Sequence, residues 1–235
     1  MFFSKQVLSL IPGAVVGTVW SASSLALGLK LRNGALDFLE LRVDAFAAEG
    51  VDLDRLEQQV ARLKIPLIVT VRHPLEGGAG ALKIAERRAL FARFLPYASL
   101  VDLELRSVEA LRELMAQAHA QKVGVILSHH DFLKTPSLAR LRELRRKATF
   151  AGASVFKLAC TAQTARDLAV LVDFISNARP ASPALAVMGM GEFGKISRLT
   201  LGRAGSVLNY GYLDQAQVPG QWPAQLLKER LAELA

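Results

Sequence analysis

A chain of 235 residues, 51% of them hydrophobic, is expected to bury a sizeable core; that excludes disorder and allows one large α/β domain or two small ones. Its single cysteine, Cys160, excludes an intramolecular disulfide and agrees with a reducing, cytoplasmic setting. The net charge of +8 points to an anionic partner without saying which.

The first segment is ambiguous. From Gln6 to Leu29 no residue is charged, a run long enough to be read as a membrane span. Lys5 and the Ser21-Ala-Ser-Ser24 segment add a faint secretory-signal look. Pro12, Gly13 and Gly17 interrupt the run, however, and the serines weaken its second half. A buried first strand, Ala14–Trp20, followed by a loop is the expected structure, with no membrane association.

Short β-rich apolar runs then recur at Asp37–Val43, Leu67–Val71, Leu100–Leu105, Val123–Ser128, Ser154–Leu158, Leu185–Met188 and Ser206–Tyr210. Between them lie segments of 3.6-residue period: Asp54–Leu63, Ala85–Phe94, Val108–Ala120, Ser137–Arg146 and Ala165–Ile175. Continuous apolar strands alternating with helices imply a parallel sheet covered on both faces. With strand one they make eight units, which suggests an α/β fold of the single (β/α)8 TIM-barrel type over residues 1–235. A doubly wound sheet competes, because periodicity alone does not separate the two. No Pro/Gly/Ser-rich linker divides the chain. The basic run Arg140–Lys147 carries Leu138, Leu141 and Leu144 at helical spacing, which predicts a solvated face and no nucleic-acid contact.

Polar residues favour the barrel. Glu40 and Arg42 fall in strand two, Arg72 follows strand three and Glu104 closes strand four. His130 follows strand five, Lys157 is near the end of strand six, and Arg198 and Gln221 come after strands seven and eight. Such groups converge only if the sheet closes into a ring, where they line one mouth.

Lys157, in the apolar run Ala153-Ser-Val-Phe-Lys-Leu-Ala159, either reaches water or is held for chemistry. Desolvation would favour a neutral, nucleophilic amine. His129 and His130 would face opposite sides of a strand, so they do not suit one metal ion. Glu76, in a glycine-bounded loop, can orient a histidine and support its protonated form, or simply cap the loop. Glu40 and Arg42 at i and i+2 can pair on one strand face with Asp44 beyond them.

These motifs taken together resemble type I 3-dehydroquinate dehydratase, a Schiff-base lyase of the shikimate pathway. The resemblance is carried by Glu40-Leu-Arg42-Val-Asp44, Arg72 with Glu76-Gly-Gly, and Ser128-His-His-Asp-Phe132 with Lys134-Thr-Pro136. It continues through Phe156-Lys157, Met188-Gly, Ile196-Ser-Arg198 and Pro219-Gly-Gln221, in family order. It implies an imine on Lys157, His130 as general base and acid, and Glu76 holding that imidazole. Arg198 would bind the substrate carboxylate; Glu40, Arg42, Arg72 and Gln221 would hold hydroxyls. Gln217 stands where some members have a serine that touches substrate. The resemblance further implies 3-dehydroquinate as the small-molecule partner, no cofactor or metal, and a cytoplasmic homodimer.

Two other readings stand beside it. Gly189-Met-Gly-Glu-Phe-Gly194 matches a dinucleotide-binding pattern, and loops after strands seven and eight of a barrel often hold phosphate. A class I aldolase acting on a phosphorylated substrate is therefore the alternative enzyme. A basic, membrane-tethered binding protein is the non-enzymatic one. Cys160 reads as a packed small hydrophobe.

Overall fold

The computed structural model describes residues 10–177 and 183–234. In chain order the elements are β1 (Val15–Val19), α1 (Ala22–Lys30), β2 (Phe38–Arg42), α2 (Val43–Ala48), α3 (Leu53–Val60) and β3 (Leu67–Thr70). Next come α4 (Ile84–Phe94), β4 (Leu100–Glu104), α5 (Arg112–Ala120), β5 (Gly124–Asp131), α6 (Leu138–Phe150) and β6 (Val155–Thr161). The last are α7 (Ala165–Ser176), β7 (Ala184–Met190), α8 (Gly194–Arg203), β8 (Asn209–Tyr212) and α9 (Ala224–Glu233).

Every strand pair is parallel, in the order β7-β6-β5-β4-β3-β2-β1-β8. The last strand therefore lies beside the first. A seam between β7 and the lead into β8 is spanned by Val207 N donating to Leu185 O at 2.9 Å. Val187 N donates to Ser206 Oγ at 3.0 Å across the same seam. The sheet is thus a barrel of eight parallel strands, and the open-sheet alternative is excluded.

Two apolar layers follow from the two-residue period of the strands. Outward positions such as Leu39, Leu41, Val69, Val101, Leu103, Leu127 and Phe156 pack against the helices in one large cluster. Inward positions Val16, Phe38, Ile68, Leu100, Ile126, Val155, Ala186 and Leu208 form a second cluster inside the ring. One step along most strands from that floor, the interior turns polar.

The strand boundaries differ from the expected ones where side chains reach the mouth. β5 continues through His129 and His130 to Asp131, and β6 continues to Thr161, because each pairs residue for residue with its neighbour to the end. α5 begins only at Arg112, since Leu105–Ser107 forms a 3-10 turn first. The segment expected as a loop after strand one is instead α1. Its serines cap it: Ser24 N donates to Ser21 Oγ and Ser21 N to Ser24 Oγ, at 3.1 and 2.9 Å. Helices α2, α8 and α9 also lie outside the periodic segments read from sequence.

No helix among the described residues is long and apolar enough to cross a membrane. Lys5 and positions 6–9 of the uncharged run lie outside the described residues. On α6 the leucines 141 and 144 are buried, while Arg140 and Lys147 are exposed and pair with Glu143.

Candidate active site

The carboxyl ends of the strands surround a cavity of about 210 Å³. That is small beside pockets that take drug-sized ligands, so it suits a compact molecule and not a dinucleotide. All nine residues singled out from sequence line it: Glu40, Arg42, Arg72, Glu76, His130, Lys157, Arg198, Gln217 and Gln221. Thr18, Phe132, Met188, Met190 and Tyr210 complete much of the wall.

Lys157 is 3% exposed, as its apolar run predicts, yet it is not isolated among hydrocarbons. Its Nζ donates to Asp102 Oδ2 at 2.8 Å and lies 3.5 Å from Glu40 Oε1. The ring of Tyr210 faces the same nitrogen at 3.9 Å, a cation–π arrangement. The expectation of a solitary neutral amine thus gives way to an ion pair at rest. The physical reason is β4, whose second inward carboxylate, Asp102, the sequence reading passed over.

Asp102 is the hub. Arg72 grips it with two nitrogens, Nη1 to Oδ1 at 3.0 Å and Nη2 to Oδ2 at 2.9 Å. Ser128 donates to Oδ1 at 2.6 Å and accepts from Arg72 Nη1 at 2.8 Å. Burial alone would raise the Asp102 carboxyl; Arg72 and Lys157 overcome it and hold the group well below the carboxylate range. Burial likewise opposes the charge of Arg72, but Asp102 and Glu104 keep it well above its ordinary value.

Arg72 itself is propped from behind. Glu104 Oε1 accepts from its Nη1 at 3.3 Å and from His73 N at 2.8 Å. The other oxygen of Glu104 meets Arg87 Nη2 at 2.5 Å and Ser107 Oγ at 3.0 Å. Arg87, on α4, is 1% exposed and also donates to Val71 O. A buried arginine is tolerated because its donors are matched to a carboxylate, a hydroxyl and a carbonyl.

Glu40 accepts from Thr70 Oγ1 at 3.0 Å and stands 3.6 Å from Arg72. The expected pairing of Glu40 with Arg42 does not form. β2 ends at Arg42 and the backbone turns into α2, which brings Asp44 round to receive Arg42 Nε and Nη2 at 3.0 and 2.8 Å. Asp44 also accepts from Ala79 N, tying β2 to the loop that carries Glu76. That loop needs its glycines: Gly77 adopts φ +82, and a Cβ on Gly78 would sit 2.3 Å from Arg72 O.

Glu76 Oε2 lies 3.0 Å from His130 Nδ1 and accepts from His130 N at 3.0 Å. Burial, reinforced by the charge of Glu104, pushes the Glu76 carboxyl up to about 7. Burial pushes His130 well below its ordinary value, with Arg72 and Lys157 adding repulsion. The pair is therefore driven toward uncharged forms, and the expectation that Glu76 supports a protonated imidazole at rest is corrected. Burial of the imidazole, with the surrounding cations added to it, outweighs one desolvated carboxyl. Strand alternation turns His129 away from the cavity, toward the outer side where Asp131, Arg140 and Arg106 act on it.

Arg198, on α8, is buried and bonds only to backbone: Tyr210 O, Gly189 O, Gly194 O and Gly220 O. No acidic side chain among the described residues lies within ion-pair distance of it. Burial lowers it to about 10, still a cation at neutral pH. Gln221 Oε1 accepts from Gln217 N at 2.9 Å, holding the last loop over the mouth.

The glycine pattern at 189–194 serves packing. A Cβ on Gly194 would lie 2.7 Å from Gly220 Cα, and one on Gly189 would lie 2.8 Å from Ser197 Oγ. Its amides are spent within the protein, Gly189 N on Ser197 Oγ, Gly191 N on Pro219 O, Phe193 N on Ala162 O and Gly194 N on Gly191 O, so the phosphate-cradle basis of the aldolase alternative is removed. Cys160 is buried, and burial pushes its thiol up to about 12, consistent with an inert packed side chain. Among the described residues no cluster of His, Cys, Asp and Glu is arranged to hold a metal ion.

A family model described as type I 3-dehydroquinase matches residues 22–235. The chain belongs to that family. It is 34% identical over 205 residues to a 3-dehydroquinate dehydratase from Latilactobacillus sakei, covering 84% of this chain and 83% of that one. A 3-dehydroquinate dehydratase from Methanosarcina barkeri is 31% identical over 234 residues, covering 95% and 96%. Among solved structures, the type I 3-dehydroquinate dehydratase from Clostridium difficile, with covalently modified comenic acid, superposes with a TM-score of 0.84 at 27% identity. That match covers 95% of this chain and 92% of the other.

Within this member of the type I 3-dehydroquinase family, three residues of the site escaped the sequence reading. Asp102 had a readable signal: in Leu100-Val-Asp-Leu-Glu104 it shares the inward face with Glu104. Arg87 sits between Ile84, Leu90 and Phe91 on a helix face that otherwise reads apolar, the mark of a buried cation. Tyr210 had only its place in strand eight.

Proposed function

We propose that this chain converts 3-dehydroquinate to 3-dehydroshikimate and water through an imine on Lys157. One observation carries the reading: a buried lysine and a carboxylate-held imidazole open on the same cavity from neighbouring strands. The family of the chain and the names of its relatives agree with it.

The ammonium of Lys157 must shed a proton before attack. His130 is neutral at rest partly because Lys157 repels a second charge, so loss of the lysine charge raises the imidazole's affinity for that proton. The free amine adds to the ketone carbon, and the carbinolamine oxygen takes the proton back from His130 and leaves as water, giving a protonated imine and a neutral imidazole. Asp102 at 2.8 Å and the face of Tyr210 at 3.9 Å then stabilise that cation. His130 removes a proton from the carbon next to the imine, whose electrons pass into the C=N bond as an enamine. The enamine expels the β-hydroxyl, which takes the proton from His130 and departs as water. Hydrolysis of the conjugated imine returns the enone and the amine.

The remaining roles follow from charge. Arg198, a buried cation with no acidic partner among the described residues, receives the substrate carboxylate. Glu40, Arg42, Arg72, Gln217 and Gln221 hold its hydroxyls, and Glu76 fixes the imidazole. The same reading takes the enzyme as a cytoplasmic homodimer that needs no cofactor or metal; sedimentation at micromolar concentration checks the dimer. Purified protein mixed with 3-dehydroquinate is expected to develop the ultraviolet absorbance of a conjugated enone. No band, with the protein folded, rejects the activity.

A further inference from the structure

His130 uses one oxygen of Glu76. Oε2 accepts from His130 N and faces His130 Nδ1, both at 3.0 Å. The proton of a neutral Glu76 therefore belongs on the other oxygen, Oε1. That oxygen faces a donor: Arg106 Nε lies 3.7 Å from it, reaching over from the 3-10 turn Leu105–Ser107 that follows β4. A guanidinium carries no acceptor, so Arg106 opposes a proton on Oε1 and favours the carboxylate.

The two side chains meet at the rim, Glu76 at 5% exposure and Arg106 at 46%. Arg106 does not line the cavity. Among the described residues its ion-pair partner is Glu76 alone, and an exposed pair of this length adds little to the fold. The other charges facing Glu76 are committed elsewhere. Arg72, just past β3, holds Asp102 and Glu104; Glu104, on β4, is itself held by Arg72 and by Arg87 of α4. Arg42, at the end of β2, is bound to Asp44 and to Gly77 O. Around Arg106 the titratable neighbours are His73 and His129, both held below their ordinary values by burial and then by nearby cations, Arg106 among them.

Burial and Glu104 lift the Glu76 carboxyl to about 7 against the pull of Arg72, the His130 N–H and Arg106, so near neutrality a modest change of field alters its charge. That charge matters at every proton transfer. His130 becomes an imidazolium whenever it takes a proton, and an ionised Glu76 across Nδ1 stabilises the imidazolium where a neutral acid does not.

We propose that Arg106 is a positioning residue for the proton relay: its guanidinium, set against Glu76 Oε1 at the rim of the mouth, keeps Glu76 an acceptor for His130 Nδ1–H and so sets the pH range in which His130 acts as base. This rests on the dehydratase reading given above.

The test is the pH profile of Arg106→Gln, which removes the charge and keeps a polar chain. The acid limb of its kcat/KM for 3-dehydroquinate should lie about 0.3–0.7 pH unit above the parent's, a loss of about 2- to 5-fold on the limb that closes on the plateau. Arg106→Lys should return most of the shift. In a Glu76→Gln background the same substitution should move nothing further, because its effect passes through that carboxyl. Raising sodium chloride from about 0.05 M to about 1 M should move the parent's limb in the same direction, since the pair is open to ions. An unmoved limb in Arg106→Gln would overturn the proposal. A loss of equal factor at every pH, with a lower melting temperature, would show a structural role and overturn it too. Should Arg106→Gln fail to fold, the parent's salt response decides, and a limb indifferent to salt rejects the proposal. A parent that does not dehydrate 3-dehydroquinate at all would reject the reading beneath as well, whereas an active parent with an unmoved limb rejects the proposal alone.

Discussion

The floor and the mouth of this barrel are built from the same strands, two residues apart, yet they obey opposite rules. On β3 the inward side chains run Ile68, Thr70 and then Arg72 just past the strand; on β4, Leu100, Asp102, Glu104; on β5, Ile126, Ser128, His130. The floor excludes water with hydrocarbon alone. The mouth buries Arg72, Asp102, Glu104, Lys157 and Arg198 at 3% exposure or less. Buried ions rarely out-stabilise a packed apolar core, so this layer is retained for what it does. The floor teaches what holds the ring together; the mouth shows how charges are kept dry by satisfying one another. The pairing of Arg72 with Asp102 and Glu104, and of Glu104 with Arg87, makes the network tolerable.

If that division is right, substitutions in the two layers should fail differently. His130→Ala should cost the most, lowering kcat by about 10²–10⁴-fold while leaving the fold intact. Near-normal turnover in this variant would move the proton transfer to another group. Arg87→Ala leaves Glu104 without one of its two arginine partners in a buried site. It should lose about 3–5 kcal/mol in urea unfolding, a larger share of stability than any loss seen in substrate binding.

Glu76→Gln sharpens the comparison through pH. The carboxyl has a folded pKa of about 7 against an ordinary 4.5, so the native state holds the extra proton between those values. The stability that Glu76 contributes is present below the lower value and is lost as pH rises through about 7. Relative to the parent, the glutamine variant should therefore gain stability between pH 5 and pH 8, read as a difference in urea midpoints. The same difference at both pH values would contradict the assignment. The smallest effect belongs to the floor. Ile126→Val should cost about 0.5–1.5 kcal/mol and leave kcat and KM where they were.

How much of this was legible beforehand follows from range. The strand–helix alternation and the polar residues at strand ends are local patterns, so the closed ring and the nine cavity residues could be read from spacing and motif order. Cap chemistry is local too, but at α1 the serines were read as loop when they formed a capping box. What stayed hidden was pairing. That Arg42 meets Asp44 and not Glu40 depends on where β2 turns into α2. That Lys157 rests in an ion pair depends on Asp102, 55 positions away in the chain. The neutral form of His130 depends on its burial and on cations from three other elements, and that of Glu76 on its burial and on Glu104, so no single segment contains that information.

The most direct measurement is mass mapping of the protein after treatment with 3-dehydroquinate and borohydride. Reduction should fix one substrate-derived adduct on the peptide containing Lys157, absent when substrate or reductant is left out. An adduct on another lysine, or none while turnover continues, would contradict imine chemistry at the heart of the ring.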